Sequence, residues 1–130
     1  CIGCAAGKFG IISGAAAASD CIDCLRGKYV DAIGSNSIHD CINCPIGKYN
    51  TIAGANLETA CIECAVGKYG AVEGSDVGSD CIDCGAGKFA NMTGQHLCAD
   101  CPVTKNVATT GSIAEANCTC VIGLFATATI

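Results

Sequence analysis

The chain has 130 residues, of which 14 are cysteine, 20 alanine and 17 glycine. A cysteine content of about a tenth exceeds the level that marks a disulfide scaffold and excludes an ordinary cytosolic domain. The net charge of −5 comes from 7 cations spread singly along the chain against 12 acids, which excludes nucleic acid as a partner.

The apolar fraction overstates the core, because cysteine and alanine supply much of it, tryptophan is absent, and Phe and Tyr number three each. Ordering the backbone of such a chain costs on the order of 130 to 260 kcal/mol, so cross-links must supply part of the stability. The apolar segment 121–130 is ten residues long, whereas a membrane span needs about 20, so no span lies in this segment. The chain opens at Cys1 without Met or an apolar leader, as expected for a mature secreted product or an excerpt of a longer array.

In chain order, the sequence repeats every 20 residues. Cys1, Cys21, Cys41, Cys61 and Cys81 align, and three residues on Cys4, Cys24, Cys44, Cys64 and Cys84. The unit reads C-I-x-C-x-x-G-K-[FY]-x4-G-x6, with Gly7, Lys8, Phe9 and Gly14 recurring in register. Units are expected at 1–20, 21–40, 41–60, 61–80, a short fifth at 81–97, a degenerate sixth at 98–117 and a partial seventh at 118–130. So short a period implies small units that complete one another by stacking. The expected fold is a small disulfide-rich all-β or irregular repeat, an elongated solenoid-like rod of about six 20-residue units with little or no helix.

Within each unit, segments such as 8–12, 28–33 and 48–52 open with a lysine and an aromatic and are flanked by glycines, which predicts strands of four or five residues. Ala15 to Ala18 is too short for a helix and reads as a loop or single turn. Residues 95–107 depart most from the repeat and are the expected place for a bend, joint or binding spot. His39 and His96 have no counterparts in other units and read as exposed loop residues. The threonines of the last quarter, among them Thr104, Thr110 and Thr127, suit O-glycosylation or an ordinary polar loop.

Three chemistries compete for the tandem C-x-x-C array. The spacing C-x2-C-x16-C-x2-C suits a zinc tetrathiolate, but seven cysteine pairs do not divide into four-ligand sites. Redox catalysis requires a thiolate at a helix N-terminus in a βαβ scaffold, of which there is no sign. Structural disulfides in an oxidising compartment fit the composition, and the sequons at Asn91 and Asn117 point to the same compartment. Spacing does not fix the connectivity. No grouping of nucleophile, base and orienting residue is visible beyond the cysteines, so no enzyme is expected, and no cofactor apart from attached glycans.

The string C-x-x-G-K-[FY], followed some ten residues later by C-x-x-C, resembles the ephrin-receptor-like cysteine-rich repeat of extracellular proteins, related in pattern to the first module of tumour-necrosis-factor-receptor repeats. The resemblance covers residues 1–94 well, 95–117 partly and 118–125 as a fragment. It implies pairing of Cys4 with Cys21, Cys24 with Cys41, Cys44 with Cys61, Cys64 with Cys81, Cys84 with Cys98, and Cys101 with Cys118. Cys1 and Cys120 are then left for flanking repeats of a longer chain or for head-to-tail bonds between molecules.

The aromatics Phe9, Tyr29, Tyr49, Tyr69 and Phe89 are expected to pack over the disulfides, with the preceding glycine allowing positive φ or close approach. Stacked rungs would also align Lys8, Lys28, Lys48, Lys68 and Lys88. These are expected to be flanked by acids at unit position 3 (Asp23, Glu63, Asp83, Asp100) and position 20 (Asp20, Asp40, Asp80), or else to be separately solvated. The functional expectation is a structural subunit of an extracellular filament, appendage or surface coat. The alternative is the stalk or ligand-binding region of a cell-surface receptor or adhesion protein.

Overall fold

The computed structural model describes residues 3–12, 17–102, 105–106 and 110–120, with the backbone alone for 105–106 and 119–120. The repeat is built from three small elements. A two-residue strand carries the lysine and aromatic (β1 Lys8–Phe9, β3 Lys28–Tyr29, β5 Lys48–Tyr49, β7 Lys68–Tyr69, β9 Lys88–Phe89, β11 Lys105–Asn106). It pairs antiparallel with a two-residue strand that follows the first cysteine of the next unit (β2 Ile22–Asp23, β4 Ile42–Asn43, β6 Ile62–Glu63, β8 Ile82–Asp83, β10 Ala99–Asp100, β12 Thr119–Cys120). Between the two lies a three-residue 3-10 turn at Ala18–Asp20, Ile38–Asp40, Glu58–Ala60, Gly78–Asp80 and Glu115–Asn117, and the shorter loop between β9 and β10 forms none.

The strands are shorter than the four or five residues expected from the sequence. After the aromatic, the backbone stops pairing within its own hairpin and bonds to the next rung. Val30 shows the pattern: its carbonyl accepts from Gly7 N at 2.7 Å, and its own N–H donates to the Ala55 carbonyl at 3.1 Å. Asn50 and Ala90 repeat both bonds one and three units on. Two further bonds cross each junction. Cys44 N donates to Gly27 O at 2.8 Å, and Gly74 N donates to Cys44 O at 2.9 Å. At each of the first four junctions, four backbone bonds thus satisfy groups that a hairpin of two-residue strands leaves unpaired.

The ladder continues through the irregular C-terminal region. Gly111 N donates to Cys84 O, Ala90 N to Ser112 O, and Cys101 N to Gly87 O. Within 95–107 the rungs therefore remain joined, although residues 103–104 and 107–109 lie outside the described set.

The unit glycines explain why stacking is this close. Gly47 has φ +83°, in the left-handed region that disfavours a Cβ. A Cβ there would also run into the carbonyl of Gly94, two units on. Gly7, Gly27 and Gly67 meet Gly54, Gly74 and Gly111 in the same way. Each unit therefore touches its neighbour and the one beyond.

The core is a row of sulfur atoms. Cys24, Cys44 and Cys84 have no exposed surface and Cys64 only 1 %, whereas Ile11, Ile33 and Val72 are each more than 60 % exposed. Burial of large apolar side chains is slight, so the buried disulfides and the inter-rung backbone bonds hold the fold.

Candidate functional site

The repeating rung is the candidate site, since the cysteines, glycines and lysine of the unit recur from rung to rung. Its centre is a disulfide between the second cysteine of one unit and the first of the next. The six bonds are Cys4–Cys21, Cys24–Cys41, Cys44–Cys61, Cys64–Cys81, Cys84–Cys98 and Cys101–Cys118. Five span 17 residues and Cys84–Cys98 spans 14, and a loop of this size stabilises by about 3 kcal/mol. These twelve sulfurs are therefore not thiolate ligands. Among the described residues, no group of three or more His, Cys, Asp or Glu is placed to hold a metal ion. Cys1 lies outside the described residues, as does the side chain of Cys120.

The aromatics cover the disulfide of the following unit. Phe9 is buried with Cys24, Val30 and Cys41. Tyr69 packs against the cluster of Cys84, Ala90 and Cys98, and Phe89 against Cys118 with Cys101 beside it. Tyr29 and Tyr49 are half-buried. Partial burial, and then the carboxylates of Glu58 and Asp31, push the Tyr29 phenol above its ordinary value. On the strand pair four aromatics face an isoleucine, Phe9 opposite Ile22, Tyr29 opposite Ile42, Tyr49 opposite Ile62 and Tyr69 opposite Ile82, and Phe89 faces Ala99. The repeated Ile at position 2 was the sequence signal for this partner, but periodicity alone does not identify what it faces.

The same pairing register sets each lysine against position 3 of the next unit. Lys8 and Lys68 reach Asp23 and Asp83 at 2.6 Å, Lys48 reaches Glu63 at 3.7 Å, and Lys88 pairs with Asp100. Half-exposed pairs of this kind contribute about 0 to 1 kcal/mol each. Lys28 differs, because position 3 of the next unit is Asn43 and the bond at 2.6 Å goes to its amide oxygen.

The aspartates at position 20 serve the 3-10 turns instead. The Asp40 carboxylate accepts from the N–H groups of Asn36 and Ser37 at 3.0 and 3.1 Å. Asp80 accepts from Asp76 N and Asp20 from Ala17 N. A carboxylate here sits at the start of a short helical turn, where orphan N–H groups need an acceptor. The Thr93 hydroxyl donates to Glu63 of the preceding unit. That bond, with the Lys48 ammonium as a further cause, holds the Glu63 carboxyl below its ordinary range.

One buried polar residue has no counterpart in the repeat. Asn50 is fully buried where other units carry Gly10, Val30, Gly70 and Ala90. Its amide nitrogen donates to the carbonyls of Lys28 and Ile52 at 3.1 and 3.0 Å, and its oxygen accepts from Ile52 N at 3.0 Å. The sequence shows the substitution but not that the backbone around it needs three partners.

Asn91 and Asn117, the two sequon asparagines, are both exposed, as are His39 and His96. Thr110 is exposed too, while Thr104 and Thr127 lie outside the described residues. Among the described residues, no helix is long and apolar enough to cross a membrane.

Two stretches of the chain, residues 10–61 and 75–118, match the family model of tyrosine-protein kinase ephrin type A/B receptor-like repeats. No curated protein matches the chain.

Proposed function

From the chain's membership of the ephrin-receptor-like cysteine-rich repeat family, we propose that it serves as a structural subunit of an extracellular filament, cell-surface appendage or surface coat. The family and the disulfides imply an extracellular or cell-surface location, and repeats of this family are characteristically non-catalytic. The observation that carries the reading is the sameness of the junctions: the same backbone bonds and the same glycine contacts recur from rung to rung. Such a construction transmits length and stiffness, and each rung depends on its neighbours rather than on one shared core. Cys1 and Cys120 would extend the array, through flanking repeats or by a bond between molecules. Glycans at Asn91 and Asn117 would shield exposed apolar side chains such as Met92.

The second reading, a receptor or adhesion stalk, is favoured by the family itself. Electron microscopy of native material before and after mild reduction separates the two. Filaments that shorten to single subunits on reduction support the structural subunit. Unassembled short rods, unchanged by reduction, contradict it and favour the stalk.

A further inference from the structure

The repeat provides its own control for locating a specific site, because a side chain that breaks the pattern at one rung can be compared with its equivalents at the others. Along the lysine row, Lys8, Lys48, Lys68 and Lys88 each face a carboxylate. Lys28 alone among them faces a neutral amide, Asn43. An ammonium has three donors and Asn43 occupies one, so Lys28 keeps both its charge and donor capacity.

Lys28 and Asn43 line one open depression, together with Ile38, His39, Cys41 and Ile42. Ile38 and Ile42 are each almost half exposed at its rim. The one acid within the lining segment 38–43, Asp40, is committed to the backbone N–H groups of Asn36 and Ser37. The depression therefore offers an uncompensated cation, an amide and an imidazole beside two branched apolar side chains.

We propose that this second-rung depression binds a single oxyanion, a carboxylate or a sulfate ester, carried by a ligand with an apolar edge. The Lys28 ammonium supplies the charge, the Asn43 side-chain nitrogen and His39 imidazole supply further donors, and Ile38 and Ile42 contact the apolar edge. A charge-assisted hydrogen bond is about twice as strong as a neutral one, and a planar or tetrahedral oxyanion can accept from more than one of these donors. At Lys8, Lys48, Lys68 and Lys88 the intramolecular carboxylate already occupies the equivalent place. The site is independent of whether the repeats build a filament or a stalk.

The test is a titration of isotope-labelled full-length protein, disulfides intact, with isobutyrate and separately with methyl sulfate, read by amide chemical shifts. Saturable shifts centred on Lys28, His39 and Asn43 are expected with at least one probe, and the probe that saturates identifies the anion. Asn43→Asp installs the carboxylate that other rungs already carry at this position, so it preserves the fold. It should weaken binding about tenfold or more, and His39→Ala should weaken it less. Shifts of equal size at Lys8, Lys68 and Lys88, no saturation with either probe, or unchanged binding by Asn43→Asp would overturn the proposal.

Discussion

Gly47→Ala tests the stacking geometry most sharply, because two other glycines of the same chain separate the causes of its effect. At φ +83° an alanine pays about 1 to 2 kcal/mol for the left-handed conformation. Its Cβ also meets the Gly94 carbonyl, so the turn carrying Gly94 must move. That movement strains the bonds from Gly47 N to Gly70 O at 2.9 Å and from Gly94 N to Cys64 O at 2.8 Å, each worth about 1 kcal/mol. The expected total is on the order of 3 to 4 kcal/mol.

Gly34 has φ +82° but no atom within 4 Å of its Cβ position, so Gly34→Ala should cost only the conformational part. Gly85 has neither a positive φ nor a neighbour within that distance, so Gly85→Ala should be close to neutral. Hydrogen exchange by mass spectrometry, with disulfides intact, reads these costs locally. A loss of 3 kcal/mol speeds exchange around Cys64 and Gly70 by about a hundredfold, and the Gly34 substitution speeds its own rung about tenfold. Equal effects of Gly47→Ala and Gly34→Ala would refute the close approach between units two apart.

Three further outcomes follow from the same geometry. Replacing Cys44 and Cys61 together removes about 3 kcal/mol of loop constraint and should accelerate exchange at that rung and its neighbours only, with uniform acceleration along the chain arguing for one shared core. Asn50→Val should destabilise by about 1 to 3 kcal/mol, since the Lys28 and Ile52 carbonyls and the Ile52 N–H lose their partner; Val at the equivalent Val30 shows that the side chain fits, and an unchanged urea midpoint by tyrosine fluorescence would contradict the role given to the amide. The Glu63 carboxyl is held below its unfolded value, so the stability it adds is present above about pH 4.3 and is lost as pH falls through its folded value. Between pH 6 and 3, Glu63→Gln should therefore flatten the acid-induced loss of stability, and Thr93→Val should flatten it in part; identical pH profiles for wild type and Glu63→Gln would count against the Thr93 and Lys48 contacts.

The fold class was legible because a 20-residue period fixes the unit, and a unit so poor in large apolar side chains has to stack. The lysine partners at position 3 were legible as a charge correlation between neighbouring units. Strand length was not, since a local pattern of aromatic and glycine does not reveal that the backbone after the aromatic bonds to another rung. The position-20 aspartates were read as charges when their geometry makes them acceptors for turn N–H groups, a role set by three or four residues of local backbone. Asn43 was visible as the missing acid in its column, but its consequence for Lys28 depends on the strand register that brings positions 28 and 43 together.

The central claim is a ladder of bonds between successive units, and non-reducing peptide mapping by mass spectrometry tests it directly. The account predicts linked peptides joining Cys24 to Cys41, Cys44 to Cys61 and Cys64 to Cys81, and the equivalent pairs at the other rungs, with Cys1 and Cys120 joined outside the unit ladder. Free thiols throughout, or bonds within each C-x-x-C, would contradict it.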